Sequence, residues 1–331
     1  METNYVIELG GSYIAIYKKN SGLILKEPSL LAVSKENDNY QVRAFGENAK
    51  ILASIEDPTI NIFSPFNSGK IKSQEYAEIL LQLLLKKSGA KKGLSKIKAN
   101  IIVSTGFTLE EKVELEKLFK AVGIHVDMYL PSVLGLALSD GKLSSKYMAV
   151  LDIGGSTSDM AVFNNQGIVS GGSIALGGRS MSAGVMNMIT EKHNLEVSLF
   201  GAERVKEELA SLASYDSSYM DIKGLDTSSN LERVVTMKAQ DVRDVLTPYF
   251  HEILKQVEFI LNSCSDEILR QIKVTGLLLG GQVSKTIGVE RFFKEKLQIP
   301  VRVVDEIENA VIVGIGKNIK NKELLQKFSY K

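Results

Sequence analysis

Two stretches of this 331-residue chain set an acidic residue, an apolar residue, two glycines and a serine between apolar, β-rich runs. They are VIELGGSYIAIY, from Val6 to Tyr17, and VLDIGGSTSDMAVF, from Val150 to Phe163. The chemistry such a strand–turn–strand can do is anion binding. Glycine lets backbone N–H groups come close to a ligand, and a tight turn aims several of them at one point. Gly10, Gly11 and Ser12 supply this in the first copy, and Gly154, Gly155, Ser156, Thr157 and Ser158 in the second. Glu8 and Asp152 end their strands, where a carboxylate can hold a metal's water shell, and they are also the acidic catalytic candidates. A third strand ends in the same glycine pair at LLLGGQ, Gly280 and Gly281. One GG hairpin is an ordinary turn. Two in matched contexts, with a third strand–GG, point to opposing walls of one phosphate site.

Other chemistries are absent from the sequence. No GxxxxGK[ST] occurs, and the glycines open a second strand, whereas a dinucleotide fingerprint opens a helix. No GxSxG nucleophile turn is present. His125, His193 and His251 lie far apart without partners, which suits packing or surface roles. The single Cys264 excludes an internal disulfide, and with three histidines it leaves little for a zinc cluster. Forty basic against 39 acidic residues give a net charge of +1, so no global field favours nucleic acid. The N-terminus lacks a signal-peptide pattern and no run approaches the ~18 apolar residues of a membrane span. These features lead to the expectation of a cytoplasmic protein with at most peripheral membrane contact.

The elements that must position the hairpins follow from periodicity. TNYVIELG, SYIAIYKK, GLILKEPSLLAVSK and YQVRAFG read as strand runs. SQEYAEILLQLLLKKSG has the spacing of one helical face, ANIIVSTG reads as a buried strand and LEEKVELEKLFKAVG as a second amphipathic helix. After residue 147 the order returns: strand, GG turn, strand, a third strand GIVSGGSIAL, and a helix over MSAGVMNMITEKHN. Two α/β halves with matching openings suggest an internal duplication around a shared cleft. The second half adds a helical AERVKEELASL, an exposed hairpin over SYDSSYMDIKGLDTSSN, and the long helix AQDVRDVLTPYFHEILKQVEFILNSC. It continues with the strand VTGLLLGGQ, a helix GVERFFKEKL and the strand IPVRVVD. The closing helix NAVIVGIGKNI carries Gly314 and Gly316, unfavourable unless something packs closely there.

Over nearly its full length the chain resembles the MreB family of bacterial actins, within the actin and heat-shock chaperone ATPase superfamily. The resemblance rests on an ordered series: GLILKEPSLLAV, FGENAK, SPFNSGKI, VLDIGGSTSDMAVF, GIVSGGSIALGG, AERVKEEL, DIKGLD, AQDVRDVLTPYFHEILKQVEFIL, GLLLGGQ and IPVRVVDEIENAVIVGIGK. It implies an actin-like α/β fold of two duplicated, ribonuclease H-like halves and four subdomains around a nucleotide cleft. The implied division is 1–31, 64–140 and 308–331 for subdomain IA, 32–63 for IB, 141–180 and 243–307 for IIA, and 181–242 for IIB. It further implies ATP (or GTP) and Mg²⁺ as cofactors. Carried over by motif, Gly10, Gly11, Ser12 and Tyr13 form the first phosphate loop and Gly154, Gly155, Ser156 and Thr157 the second. Ala202, Glu203 and Lys206 flank the adenosine on one side and Gly280, Gly281, Gln282 and Val283 on the other, with Gly177 and Gly178 beneath the base. Glu8 and Asp152 face the metal through water.

The same resemblance implies head-to-tail homopolymers at the inner face of the cell membrane, copolymerisation with other bacterial actins, and contact with membrane proteins of the wall-synthesis machinery, with no direct nucleic-acid contact. Lys91, Lys92, Leu94 and Ile97 fall where the family keeps an apolar insertion loop: the lysines could meet anionic lipid while Leu94 and Ile97 insert. They equally suit a solvated lysine-rich turn. The chain departs from the family at three points. Asp-Leu-Gly-Thr-Ala-Asn is here ELGGSY, so Glu8, Gly11 and Tyr13 replace an acid and two donors. Thr-Gly-Gly-Gly is Gly280-Gly281-Gln282-Val283. The water-positioning Glu before Pro131 is Leu130, which cannot hydrogen-bond water. Weakened hydrolysis is therefore expected. A plasmid-segregating actin, a non-polymerising regulatory paralogue and a metabolite kinase of the same fold are the alternatives.

Overall fold

In the computed structural model, residues 2–36, 39–55, 57, 59–67, 70–90, 97–141, 143–144 and 146–330 are described. The chain opens with three antiparallel strands, β1 (Tyr5–Leu9), β2 (Tyr13–Lys18) and β3 (Gly22–Pro28), the first two flanking the first glycine pair. A small sheet in the order β5-β4-β6 follows, from β4 (Leu31–Glu36), β5 (Asn39–Phe45) and β6 (Ile60–Phe63), with α1 (Glu47–Ile55) before its last strand. A short hairpin, β7 (Phe66–Asn67) and β8 (Lys70–Ile71), leads to α2 (Gln74–Lys87), β9 (Ile97–Val103), α3 (Leu109–Ala121) and β10 (Ile124–Pro131). β9 pairs parallel with β1 and β10 parallel with β9, so the first sheet runs β10-β9-β1-β2-β3.

Helix α4 (Ser132–Asp140) carries the chain to the second hairpin, β11 (Met148–Ile153) and β12 (Ser158–Asn164), with β13 (Gly167–Ile174) beside it. Then come α5 (Gly178–His193), β14 (Leu195–Glu196), α6 (Leu199–Leu209), β15 (Tyr219–Asp226), β16 (Glu232–Lys238), α7 (Ala239–Asn262) and α8 (Asp266–Thr275). β17 (Leu277–Gly280), a 3₁₀ turn at Gln282–Lys285, α9 (Val289–Leu297), β18 (Val301–Val303), α10 (Ala310–Lys317) and α11 (Lys322–Gln326) complete it. The second sheet runs β13-β12-β11-β17-β18. Each sheet is thus an antiparallel meander joined to two parallel strands, and the repeat read in the sequence is a repeat of topology.

Local chemistry explains the boundaries. Ser73 caps α2, whose last turn holds Lys86 and Lys87, and Thr108 with Glu111 forms a capping box on α3. β11 and β12 are buried at every residue, because layers cover both faces of the second sheet, and they read accordingly as near-continuous apolar runs. Between the sheets, α4 and α10 pack with Val6, Ala15 and Ile102 of one sheet and Val150, Phe163 and Leu278 of the other into a shared core. Their backbones meet. A side-chain carbon on Gly314 would stand 1.9 Å from Gly135 O, and one on Gly316 would enter the Tyr17 ring at 2.4 Å. The two interior glycines of the closing helix have the close partners that their positions demanded.

Several elements differ from the sequence expectation. GLILKEPSLLAVSK, one run by composition, divides into β3 and β4 because Ser29 turns the chain, donating its N–H to Ser12 O and its hydroxyl to Gly10 O. α1, which falls among runs read as strands, α4, α8, α11, β10 and the 3₁₀ turn were not foreseen, and the hairpin expected over 214–230 is built from β15 and β16, its second strand lying beyond that segment. α8 is capped by Ser265 and buries only Ile268 and Ile272, a weak stripe beside a long helix.

Candidate functional site

The two glycine hairpins face each other. In the first, Gly10 N–H donates to Tyr13 O at 2.9 Å, and in the second Gly154 N–H donates to Thr157 O at the same distance. Their tips interlock. A side-chain carbon on Gly11 would stand 1.9 Å from Ser156 Oγ, and one on Gly155 would stand 2.0 Å from Ser12 Oγ. Each serine therefore fills the space left by the other hairpin's glycine.

The second hairpin is held from below by the start of α5. Gly178 N–H donates to Gly154 O at 3.0 Å and Arg179 N–H to Gly155 O at 2.7 Å, while the Arg179 guanidinium reaches Gly11 O at 3.0 Å. Gly177, read from the sequence as lying beneath a base, instead backs this turn: a side-chain carbon there would strike Gly154 O at 2.6 Å. Two hydroxyls are also committed. Ser158 donates to Leu176 O at 2.7 Å and serves the sheet. Thr157 donates to Asp159 Oδ2 at 2.8 Å, so towards a ligand it offers lone pairs rather than a proton.

The cleft floor is built from one row of each sheet. Glu8 lies opposite Ala15 and Ala15 opposite Lys26, while Asp152 lies opposite Asp159 and Asp159 opposite Ser173. Partners in register share a face, so Glu8 and Lys26 flank one small alanine. Burial pushes the Glu8 carboxyl up to about 7, against the pull of the Lys26 ammonium. Burial, then repulsion from Asp159 and Glu8, pushes Asp152 up to about 8, with the Ser132 hydroxyl pulling back. Asp159 is raised by burial despite bonds from Thr105 and Thr157. Three carboxyls on one floor, Asp152 and Asp159 buried and Glu8 half-buried, favour a neutralising cation. Among the described residues no three His, Cys, Asp or Glu are grouped to hold a metal by themselves. A cation here would need water or ligand oxygens to complete its shell.

Around this floor opens a cavity of ≈ 560 Å³, a size that suits a small-molecule ligand. Its lining includes Glu8, Gly10 to Tyr13, Asp152, Gly154 to Thr157, Gly178, Glu203, Lys206 and Gly281 to Val283. Besides Gly177, two expected nucleoside contacts lie outside it. Ala202 is fully buried in the core of the second half, and the face of Gly280 is taken by Leu136, 2.2 Å from any added carbon. Lys206 lines the cleft but already donates to Gly178 O and Ser182 Oγ, both at 2.8 Å, anchoring α6 to α5. Leu130 contributes nothing to the cleft: it is fully buried between the sheets. Of the expected lipid-contacting residues, Lys91, Lys92 and Leu94 lie outside the described residues. Ile97 begins β9 in register with Ile124 and is buried in the core, so it is not available to insert into lipid. The histidines lie away from the cleft, and His251 packs edge-on against Phe292. The sequence reading missed Lys26, Asp159 and Arg179, although the strand alternation of Glu8, Ala15 and Asp159 with the hairpins could have found Asp159.

At the mouth, α1 and α6 approach each other. Phe200 packs with Leu30, Ala32, Ala49 and Leu52 of the small sheet and its helix. Burial lowers the Lys50 pKa, but Tyr13, Glu203, Glu207 and Glu47 raise it further, so the ammonium serves both sides of the opening.

A cleft between two duplicated halves, each contributing a glycine hairpin, has counterparts among known proteins. The family model described as MreB/Mbl protein matches residues 2–327. The chain belongs to the MreB/Mbl family. It is 28% identical over 328 residues to the cell shape-determining protein Mbl of Bacillus subtilis, covering 97% of each chain. It is 24% identical over 320 residues to the cell shape-determining protein MreB of Escherichia coli K12, covering 95% of this chain and 92% of that one. The solved structure of MreB5 of Spiroplasma citri bound to AMPPNP superposes on this MreB/Mbl chain with a TM-score of 0.89 at 24% identity, covering 98% of both. A MamK double helical filament subunit superposes with a TM-score of 0.77 at 18% identity, covering 96% of this chain and 98% of that one. The actin-like fold implied by the motif series is the fold of the chain.

Proposed function

We propose that this MreB/Mbl chain binds ATP with Mg²⁺ in the cleft and polymerises into membrane-associated cytoskeletal filaments that govern cell shape and wall synthesis. The observation that carries the reading is the mutual seating of two glycine hairpins above a floor of buried and half-buried carboxyls. Backbone N–H groups suit phosphate, and the carboxyls suit the water shell of a divalent cation. Gly10 to Tyr13 and Gly154 to Thr157 would hold the phosphates, Glu203, Lys206 and Gly281 to Val283 the nucleoside, and Glu8 and Asp152 the metal through water. The cation would neutralise both phosphate and floor. MreB5 bound to AMPPNP or ADP, the MamK filament, and the names of the Mbl and MreB relatives support this reading.

Slow hydrolysis belongs to the same proposal: position 130, where the family carries its water-positioning Glu, lies in the core outside the cleft, so no side chain there orients water. So does the four-subdomain division, which fits the two large sheets and the two three-stranded ones. Attachment to the inner face of the membrane would be peripheral: among the described residues no helix is long and apolar enough to cross a bilayer. Contact with wall-synthesis membrane proteins and copolymerisation with other bacterial actins extend the proposal. Light scattering with and without ATP and Mg²⁺, followed by electron microscopy on lipid, tests it. Nucleotide-dependent scattering and filaments on vesicles are expected. A chain that neither binds nucleotide nor assembles overturns the reading, and one that binds without assembling would be a regulatory paralogue.

A further inference from the structure

The first hairpin brings few side-chain donors to the cleft. Gly11 has no side chain, and Tyr13 presents a ring. Over the face of that ring stands Lys26, whose Nζ lies 5.3 Å from the Tyr13 ring centroid. Lys26 is on the same sheet row as Glu8, separated from it only by the methyl of Ala15, and it lines the cleft with the hairpin residues. Its ammonium is held in place: it donates to Glu308 O and, at 3.2 Å, to Asn309 Oδ1 at the start of α10. Two of its three N–H groups are thereby used and one is left. The other lysines of the cleft are differently engaged, Lys206 with α5 and Lys285 with the Glu308 carboxylate. Burial lowers the Lys26 pKa, while Glu8 and Glu308 pull it back up.

We propose that Lys26 is a phosphate-binding residue: its pre-positioned ammonium supplies the first hairpin wall with a fixed positive charge for nucleotide phosphates, whether or not a divalent cation is present. The inference rests on the nucleotide-binding reading above. A fixed charge on a half-buried, already ordered side chain costs little conformational entropy on binding and acts in a low-dielectric cleft, where it is worth more than at the surface. The stacked Tyr13 ring adds a cation–π contact that holds the ammonium over the hairpin. Such a charge acts on phosphate and not on the nucleoside. It matters most when Mg²⁺ is removed and the phosphates are otherwise un-neutralised.

Calorimetric titration of the full chain with ATP, ADP and adenosine, in Mg²⁺ and in EDTA, tests this on wild type, Lys26→Gln and Lys26→Arg. Glutamine, one bond shorter, keeps a polar amide N–H donor while removing the charge, and arginine keeps the charge. Lys26→Gln is expected to weaken ATP binding about tenfold, ADP less and adenosine not at all, with a larger loss in EDTA than in Mg²⁺. Lys26→Arg should recover most of the loss. Wild-type ATP binding matched by Lys26→Gln in both media overturns the inference alone, as does an equal loss for adenosine. Failure of the wild-type chain to bind ATP overturns the proposed function and this inference together. If Lys26→Gln melts below the titration temperature, Lys26→Met and Lys26→Arg decide it by the same comparison of ATP with adenosine.

Discussion

Ser156 occupies the space in front of Gly11: its Oγ stands 1.9 Å, and its Cβ 2.8 Å, from where a side-chain carbon on Gly11 would have to be. Rotating the serine moves Oγ but not Cβ, so one methyl at position 11 forces the hairpins apart. Gly11→Ala is expected to cost about 1–3 kcal/mol of stability and to weaken ATP binding. Adding Ser156→Gly should return most of that stability in urea titrations. A double variant as unstable as the single one would remove the hairpin contact as the cause.

Introducing the family's acid at position 130 should not restore hydrolysis. Leu130 is fully buried between the sheets, paired in register with Ile102, and a carboxylate there has no water to reach. Leu130→Glu is expected to lose on the order of 3 kcal/mol or more, with phosphate release from ATP staying at the wild-type level. A folded Leu130→Glu chain with clearly faster turnover would contradict the placement.

Without nucleotide or metal, stability should fall as pH rises. The Glu8 and Asp152 carboxyls sit at about 7 and about 8 in the folded chain, against ordinary values of 4.5 and 3.8. The folded state therefore binds their protons more tightly than the unfolded state. That contribution is complete below about pH 4 and is lost as pH passes 7 and then 8. Asp152 faces Asp159, Glu8 and Ser132, and Glu8 faces Lys26. Melting temperatures measured from pH 5 to pH 8.5 are expected to drop by several degrees through these groups, and Asp152→Asn should flatten the decline. An Asp152→Asn profile parallel to wild type would show that other groups set the slope.

The crossing of α4 and α10 should tolerate no added carbon. A side-chain carbon on Gly314 would stand 1.9 Å from the Gly135 carbonyl oxygen, a backbone atom that cannot swing away. Gly314→Ala is expected to cost more than about 2 kcal/mol in denaturant titrations, despite alanine's better helix propensity. A neutral or stabilising result would mean that the helices can slide apart freely.

Much of this is legible in the sequence. The repeated hairpins predicted a topology repeated in both sheets, because a GG turn between two apolar runs has few other ways to fold. Gly314 and Gly316, costly inside a helix, announced a close approach. What escaped the sequence was side-chain destination. Ser158 and Thr157 carry the same hydroxyl, yet one bonds Leu176 O and the other bonds Asp159. Ala202 and Glu203 are neighbours on one helix, yet only Glu203 faces the cleft.

By itself, the sequence determined the family, the duplication and the two glycine walls, since those depend on local turn chemistry and on the order of elements along the chain. Only the tertiary structure decided that the walls interlock through Ser12 and Ser156, that Ile97 and Leu130 are core residues, and that Lys26 shares a row with Glu8. These are matters of sheet register and layer packing. They join residues far apart in the chain, and a one-residue change of register would send each side chain to the opposite face.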